Sequence, residues 1–380
     1  MMRYGIPEYR LPRPVLDAEI ARIAELGVRI VTDHVVQDLL VEQTEGRFDA
    51  VFVAIGAHLS KKVDIPARDA GKIVDAVSFL RGVASGERPV MGRRVAVYGG
   101  GNTAMDAARV ARRLGASETV VVYRRTQEQM PAHIEEQTDA QSEGVTMNWL
   151  RTITSVDDTD LTVEIMELDD EGRPHGTGKF EKLAADTVIL ALGQEADTGF
   201  LKSISGLRFD DGVVQVDPAT LMSDVPGLFA GGDAVPSERT VTVGVGHGKR
   251  AARNIDAYLE AAPLPPKTSK PVATFDSLNL WYFGDANRRS QPQLDPESRI
   301  SAFEEVVGGL SADQAGFEAA RCLSCGNCFE CDGCLGSCPE DAIIKLGRGH
   351  RYRYDYARCT GCGTCAEQCP VNAIEMVPER

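Results

Sequence analysis

The first 321 residues of this 380-residue chain contain no cysteine. A disulfide scaffold is therefore excluded for that region, and so is chemistry that needs a redox-active cysteine pair there. The sequence also lacks an apolar run near the roughly 18 residues of a membrane span, and its first residues do not form a signal peptide. These absences predict a soluble, cytoplasmic protein without a membrane span.

Basic residues are few relative to acidic ones, 41 against 56, and the formal net charge is −15 at pH 7. Such a surface repels nucleic-acid phosphates and anionic lipids, so binding to either is disfavoured. Hydrophobic residues make up 43% of the chain and charged residues 26%, which is typical of a globular protein. At roughly 150 residues per domain, the length predicts two to three domains.

Short apolar strands alternate with helical patterns through the first 260 residues, which predicts an α/β fold with parallel sheets. The strands are predicted at 29–32, 49–56, 94–98, 119–123, 152–156, 162–168, 186–192 and 227–230. The main helices are predicted within 14–33, with Gly27 as the stop, and at 103–114 and 246–259. A proline-rich, polar stretch at 263–317 predicts a linker. Residues 318–380 are predicted to form a separate module.

One of these strands runs directly into a glycine-rich turn and a helix. The turn Gly99-Gly100-Gly101-Asn102-Thr103-Ala104 fits the pattern G-x-G-x-x-A. In this pattern the first glycine permits a tight turn, the second lets a pyrophosphate approach the backbone, and the alanine keeps helix and strand close. N–H groups at the helix start then face the phosphates. A glycine turn without a ligand is the alternative, but the flanking strand and helix favour a dinucleotide site.

The end of the next strand indicates which dinucleotide is bound. Arg124 and Arg125 stand about 25 residues after Gly99, where an NAD-binding protein carries an acidic residue for the ribose hydroxyl. Two guanidinium groups suit a 2′-phosphate, which they can bind through charge-assisted hydrogen bonds. A solvated basic pair at a strand end is the alternative. We therefore predict NADPH rather than NADH as the nucleotide.

All ten cysteines lie between Cys322 and Cys369, and eight of them form a repeat with an offset of 31 residues. Each run has the spacing C-x2-C-x2-C-x3-C-P of bacterial two-cluster ferredoxins, in which the fourth cysteine serves the other cluster. The sequence therefore predicts two [4Fe–4S] clusters, and zinc is the weaker alternative. The first would be held by Cys328, Cys331, Cys334 and Cys369, and the second by Cys359, Cys362, Cys365 and Cys338.

Cys322 and Cys325 are left over by this assignment. They extend the first run upstream, and structural thiols, a pair that shields the cluster and metal ligation all remain open. No triad or carboxylate pair indicates a catalytic acid, base or nucleophile, which hydride transfer does not require.

A flavin is indicated by the apolar strand that ends at Gly231-Gly232-Asp233, since such an aspartate can accept hydrogen bonds from flavin hydroxyls. On its own this tripeptide is an ordinary turn. The electron count is the better argument, because a nicotinamide passes two electrons as hydride whereas iron–sulfur clusters take one at a time. FAD is the usual cofactor that divides the pair.

In combination these motifs resemble the glutamate synthase small-subunit family. The similarity covers residues 1–262 and rests on the segment 4–12, the loop 99–106, the basic pair 123–125, and 231–233 with 246–249. Dihydropyrimidine dehydrogenase carries a similar flavin–NADPH unit. The resemblance implies two nested Rossmann-like domains of the pyridine nucleotide-disulfide reductase type, with a small α+β ferredoxin-like domain added. It places the FAD domain at 1–65 and 190–262, and the inserted NADPH domain at 66–189.

The resemblance also implies which residues contact the nucleotides. FAD would be lined by Arg10, Gly232, Asp233, Thr240 and Val241. NADP(H) would be held by Gly99, Gly100, Gly101, Asn102, Thr103, Ala104, Arg124, Arg125 and the turn Ala191-Leu192-Gly193. Family members carry an additional nucleotide loop before a segment like 1–12, so we expect the front half of the FAD domain to be missing from this chain and FAD to be held poorly by it alone.

These features predict an NADPH-dependent electron-transfer subunit of a larger oxidoreductase. Its protein partner would be a ferredoxin or a ferredoxin-dependent enzyme such as a 2-oxoacid oxidoreductase. A glutamate synthase small subunit is one alternative, which the cysteine module disfavours. A non-catalytic iron–sulfur electron wire or assembly module is another.

Overall fold

The computed structural model describes residues 1–61, 65–67, 73–157, 159–263 and 273–378. The chain divides into two compact units, the first within 1–265 and 293–307 and the second within 266–292 and 308–380. No helix in the described ranges is both long enough and apolar enough to cross a lipid bilayer.

The first unit contains helices and strands in alternation. Its helices are α1 (Arg13–Glu25), α2 (Leu39–Gly46), α3 (Ala76–Ala84), α4 (Asn102–Arg113), α5 (Ile134–Ser142), α6 (Val241–Leu259) and α7 (Pro296–Ser301). Its strands are β1 (Val51–Val53), β2 (Leu59–Ser60), β3 (Ile73–Asp75), β4 (Arg94–Tyr98), β5 (Glu118–Tyr123), β6 (Val145–Trp149), β7 (Arg151–Val156), β8 (Asp160–Leu168), β9 (Pro174–Ala184), β10 (Thr187–Leu190), β11 (Gln194–Glu195), β12 (Phe209–Asp210), β13 (Val213–Val214) and β14 (Leu228–Ala230).

In the described residues, five of these strands form a parallel sheet in the order β3-β10-β4-β5-β6. Its middle strands are apolar on both faces, as a covered parallel sheet requires. Val95, Val97 and Val121 pack against side chains of α3 and α4. The alternate residues of the same strands pack against the antiparallel sheet β7-β8-β9. This period of two places α4, with the glycine turn before it, on one face of the sheet.

A second core surrounds the parallel pair β1 and β14, whose register joins Val51 to Leu228 and Val53 to Ala230. The antiparallel pair β2 and β11 connects this part of the unit to the residues that follow β10. The predicted helix 14–33 ends at Glu25, because Gly27 has a φ of +93°. The predicted strand at 29–32 does not form in the described structure, where Ile30 and Val31 are exposed.

The second unit carries a short structural repeat. It contains the helices α8 (Ala312–Ala320), α9 (Gly333–Ser337) and α10 (Thr364–Glu367), and the antiparallel strands β15 (Ile343–Lys345) and β16 (Tyr352–Tyr354). Left-handed backbone recurs at the sequence offset of 31 residues, in the pairs Glu330/Gly361, Asp332/Gly363 and Asp341/Asn372. A non-glycine residue in this region costs roughly 1–2 kcal/mol. The two halves therefore keep the same backbone path even where one of them lacks glycine.

The stretch 263–317 differs from the linker that its composition predicts. Its described residues include α7 and α8, and they are divided between the two units. The side chain of Arg299 is buried and donates to Asp139 at 3.1 Å and to the Leu294 carbonyl at 2.6 Å. These bonds satisfy the buried guanidinium of a residue that lies in the predicted linker.

A buried ion cluster fixes α4 to α5. The Glu143 carboxylate, whose side chain is fully buried, accepts from Arg109 at 2.7 Å and from Arg113 at 2.5 Å. Burial alone would raise the pKa of Glu143, but the hydrogen bonds from the two guanidinium groups outweigh it and lower that pKa. Removing one partner of such a buried pair leaves an uncompensated charge, so the cluster is a strong constraint on the helix.

Asp106, also on α4, is bound by Arg10 at 2.8 and 2.9 Å. Burial raises the pKa of Asp106 to about 6, and the attraction of Arg10 opposes that rise only in part. A carboxyl whose pKa is higher in the folded state binds more protons there than in the unfolded chain. The free energy of unfolding therefore falls as the pH rises through the interval from about 4 to about 6.

We predict that Asp106→Asn removes this contribution. As the pH rises from 5 to 7, the free energy of unfolding of the parent should fall by about 1 kcal/mol relative to that of the variant. Urea unfolding followed by tryptophan fluorescence measures this difference. Asp170→Asn, an exposed change of the same charge, is the control, and the same pH dependence in the parent and Asp106→Asn would contradict the prediction.

Candidate functional site

The turn between β4 and α4 admits only glycine at its first two positions. Gly99 has a φ of +147°, and a Cβ there would lie 2.2 Å from the Ala191 carbonyl oxygen. A Cβ on Gly100 would lie 2.4 Å from the Tyr123 ring. Around Gly101, in contrast, no described atom lies within 4 Å of such a Cβ. The turn is therefore packed against protein on one side and open to a ligand at its third glycine.

At the start of α4, beside this turn, backbone N–H donors have no acceptor inside the helix. Gly101 caps α4 with extended backbone, and its carbonyl accepts from Ala104 and Met105. The N–H groups of the first two helical residues, Asn102 and Thr103, have no acceptor inside the helix and lie at the positive end of the helix dipole. The side chain of Asn102 accepts from the His133 N–H at 3.0 Å, so it holds the following loop. Ala104 is fully buried, which allows the helix to lie close to the sheet.

Three predicted segments meet at the carboxyl edge of the five-stranded sheet. The Gly99 N–H donates to the Val122 carbonyl at 3.1 Å, and the Ala191 N–H donates to the Tyr98 carbonyl at 2.8 Å. Ala191-Leu192-Gly193 follows β10 and Arg124-Arg125 follows β5, on either side of β4. Ligands of open parallel sheets bind outside this edge. The fold thus brings the predicted nucleotide residues together.

Arg124 is exposed, and Arg125 is partly buried with an orphaned donor. The Nε of Arg125 is buried and has no hydrogen-bond partner in the described part of the chain. A buried donor without an acceptor costs about 1–3 kcal/mol. An anionic ligand group, such as a phosphate, would supply the missing acceptor.

A hydrogen-bonded path joins the starts of α4 and α6. Gln194 donates from Nε2 to the Thr103 hydroxyl at 3.3 Å, and its carbonyl accepts from Arg239 at 2.6 Å. Arg239 precedes Thr240, whose hydroxyl caps α6 by accepting from the Val243 N–H at 3.2 Å. Sequence reasoning identified Thr103 and Thr240 but missed Gln194 and Arg239, because no spacing rule marks them.

The predicted flavin residues Gly232 and Asp233 lie in a tight turn after β14. The Gly232 N–H donates to Nδ1 of His247 at 3.0 Å, and Gly232 has a φ of +66°. Burial lowers the pKa of His247, as does Arg250, which keeps this nitrogen an acceptor. A Cβ on Gly231 would lie 2.7 Å from Phe52. On the first turns of α6, which begins at Val241, three glycines have no described atom within 4 Å of a Cβ, so this helix start is open: Gly244, Gly246 and Gly248.

Arg10 lies differently from the role that the resemblance implies. Its two terminal nitrogens bind Asp106 and Glu136, on α4 and α5. The structure therefore uses Arg10 to hold the segment before α1 against the nucleotide-binding part of the unit. A residue whose guanidinium is engaged by two carboxylates fits a flavin contact poorly.

Two cavities in the second unit are each bordered by four cysteines. Cys328, Cys331, Cys334 and Cys369 border the first. Cys338, Cys359, Cys362 and Cys365 border the second. Each set takes three cysteines from one run and one from the other, which is the division that the alternation rule predicts.

The thiols at the ends of the two runs accept matching backbone hydrogen bonds. The Ala342 N–H donates to Sγ of Cys338 at 3.3 Å, and the Ala373 N–H donates to Sγ of Cys369 at 3.2 Å. Such bonds to sulfur help to set the potential of a cluster. Asn279, which sequence reasoning missed, donates to the Cys369 carbonyl at 3.0 Å and so holds this cysteine loop.

The donor set of each cavity fits an iron–sulfur cluster. In the described ranges, no three Cys, His, Asp or Glu side chains converge closely enough to bind a single metal ion. The four thiols instead surround a volume, and four soft thiolate ligands suit a [4Fe–4S] cluster. Cys322 and Cys325 are exposed and border neither cavity.

Comparison with protein families agrees with this geometry. The model of the pyridine nucleotide-disulphide oxidoreductases matches residues 14–248, more than half of the chain. The chain belongs to this family. A second model, the 4Fe-4S binding domain, matches residues 352–375, which include the second cysteine run. The chain thus joins an NAD(P)-type oxidoreductase domain to an iron–sulfur domain.

Individual relatives confirm the predicted resemblance and fold class. The chain is 38% identical over 352 residues to the NADP(+)-dependent formate dehydrogenase subunit beta of Moorella thermoacetica, covering 86% of this chain and 49% of the relative. It is 31% identical over 286 residues to a putative glutamate synthase [NADPH] small chain of Cereibacter sphaeroides, covering 68% of each. The structure of Mycobacterium tuberculosis FprA in complex with NADPH has the same fold, with a TM-score of 0.52 at 18% identity over 68% of this chain and 74% of that one.

We predict that Arg124→Ala/Arg125→Ala weakens NADPH binding at least tenfold and leaves NADH binding nearly unchanged, since charge-assisted hydrogen bonds contribute about 1.5–3 kcal/mol each. Isothermal titration with both nucleotides measures the difference. Arg22→Ala/Arg29→Ala changes the net charge equally on an exposed surface and serves as the control. Equal losses of affinity for NADPH and NADH would contradict the prediction and indicate that Arg124 and Arg125 are an ordinary solvated pair.

Cysteine replacements test the division between the two cavities. Cys334→Ala and Cys369→Ala should each remove about half of roughly eight iron atoms, and both should abolish the same cluster's paramagnetic signal. Cys365→Ala should abolish the other signal. Iron analysis and electron paramagnetic resonance measure these effects, with Ser337→Ala as the control that retains all iron. Loss of the same signal in Cys369→Ala and Cys365→Ala would contradict the assignment.

Proposed function

We propose that this chain transfers electrons between NADPH, FAD, two [4Fe–4S] clusters and a protein partner, as a subunit of a larger oxidoreductase. The observation that carries the proposal is the combination in one chain of an open glycine turn at a helix start with two cavities of four cysteines each. The first suits a nucleotide that gives up two electrons together. The second suits centres that carry one electron each.

Binding of NADPH is assigned to the carboxyl edge of the five-stranded sheet. Gly101 and the first turn of α4 would bind the pyrophosphate. N–H groups without an acceptor inside the helix can donate to it, and the helix dipole favours an anion at this end. Arg125, with its unpartnered Nε, and Arg124 would hold the 2′-phosphate. Gly193, with a φ of +116°, leaves the turn after β10 without a side chain toward this edge.

Binding of FAD is assigned to Gly232, Asp233, Thr240 and Val241. The start of α6 offers a capped helix end and an open glycine face. When bound, the flavin supplies the conversion between the two electrons released with one proton from NADPH and the single electrons of the iron–sulfur centres. Gln194 and Arg239 would hold the two nucleotide ends in register, since they join the starts of α4 and α6.

The choice of protein partner rests on the single-electron centres of the second unit. The chain spans about half the length of the formate dehydrogenase relative that it matches, so the activity and partners of that whole protein are not transferred. Both relatives are named as subunits or chains of oxidoreductases. We favour a ferredoxin or a ferredoxin-dependent enzyme as the partner, since the cysteine module offers single electrons.

A reduction assay on the anaerobic protein, supplied with excess FAD, tests this function. Added NADPH should bleach the flavin, give rise to reduced-cluster signals and support reduction of a viologen dye, whereas NADH should do so less well. Cys334→Ala and Cys365→Ala should retain flavin bleaching but lose most dye reduction. In protein that has bound FAD, clusters that dithionite reduces but NADPH does not would contradict the proposal and favour a non-catalytic electron wire.

A further inference from the structure

Two cysteines take no part in the cavities described above. Cys322 and Cys325 follow α8, and both are exposed. A free cysteine that only fills space is usually among the most buried residues of a protein. Exposure instead makes a thiol available to oxidation and disulfide exchange, and the spacing C-x2-C is that of redox-active pairs.

The backbone reverses between these two cysteines. The Cys325 N–H donates to the Leu323 carbonyl at 2.8 Å, across Ser324 with a φ of +56°. This three-residue turn is a strained one for a residue with a side chain. The Ser324 carbonyl also accepts from the Asn327 N–H at 2.8 Å. Two consecutive tight turns therefore hold the pair in a compact loop.

The same loop is joined to the first cysteine cavity. The Gly326 N–H donates to the Val371 carbonyl at 2.6 Å. Val371 is buried, borders that cavity and lies two residues after Cys369. Cys325 is also only three residues from Cys328, which borders the cavity as well. A covalent and a hydrogen-bonded route thus lead from the exposed pair to the proposed first cluster.

We propose that Cys322 and Cys325 form a dithiol–disulfide couple that exchanges electrons with the first cluster. This inference rests on the proposed two-cluster function. On reduction the S–S bond breaks, and two electrons and two protons convert the disulfide to two thiols. The electrons come from the two clusters, one from each, and are replaced from NADPH; the protons come from water, which reaches the exposed pair. On oxidation the same electrons return to the clusters.

Thiol mapping on the anaerobic full protein tests the couple. After poising in oxidised glutathione buffer, alkylation and trypsin digestion, the peptide 322–345 should carry two fewer alkyl groups than after reduction, and fragmentation should place the loss at Cys322 and Cys325. In Cys322→Ser and in Cys325→Ser the remaining cysteine should carry either an alkyl group or one glutathione after oxidation, whereas the parent pair should carry neither. Alkylation of both cysteines in the oxidised parent, with iron intact, would overturn the couple.

A reductive titration tests whether the pair takes up two electrons. With dithionite, the oxidised parent should take up two electron equivalents more per chain than Cys322→Ser/Cys325→Ser, whether or not flavin is bound, since flavin adds equally to both. Equal uptake would overturn the inference.

Iron analysis separates this inference from the function on which it rests. The double variant should retain all of the roughly eight iron atoms, because neither cysteine borders a cavity. Loss of about half the iron would show that the pair ligates a cluster. That result would overturn the dithiol–disulfide couple but not the proposed electron-transfer function. A parent chain that binds no iron–sulfur cluster would overturn the proposed function itself.

Discussion

The fully buried Glu143 carboxylate, shared by the guanidinium groups of Arg109 and Arg113, sets where α4 lies. A buried charge is stable only when an opposite charge lies close to it. A shift of α4 relative to α5 would therefore leave a buried charge without its partner. The ring of Tyr9 lies 3.7 Å from the Arg113 guanidinium carbon, which adds a cation–π contact and ties the segment before α1 to the same cluster. Because the glycine turn leads directly into α4, these contacts also fix the position of the turn.

Two sets of contacts connect the start of α4 to the rest of the first unit. Along the sheet, β4 lies between β5 and β10, so that the segments after all three strands reach one edge. Across the unit, Gln194 and Arg239 carry the connection to Thr240 and the start of α6. The start of α4 thus presents N–H groups without an acceptor inside the helix, the feature that suits anionic parts of nucleotides, whereas the start of α6 is capped by Thr240.

The second unit depends on a different constraint, the repeated backbone path. Left-handed residues at matching positions turn the chain before α9 and α10, which carry Cys334 and Cys365. Beyond each short helix, Cys338 and Cys369 accept a backbone N–H four residues on. Because each run ends beside the other run's cavity, neither half completes a set of four thiols by itself.

Local patterns in the sequence were sufficient for much of this. The strand, glycine turn and helix at 94–113 form over the predicted residues because their signals are contiguous and steric. The cysteine runs predict the division between cavities because their spacing is short and repeated. The prediction of a strand at 29–32 was wrong, because hydrophobic periodicity and strand propensity do not show whether another strand pairs with the segment.

By itself, then, the sequence determined the fold class, the family and the residues that could bind nucleotide and clusters, since each depends on neighbours along the chain. Only the tertiary structure decided that Arg10 binds Asp106 and Glu136, that Arg299 is buried against Asp139, and that Gln194 bridges two helix starts. These pairings join residues 45 to 160 positions apart. Hydrogen bonding and burial select them once the chain is folded, and no spacing in the sequence encodes them.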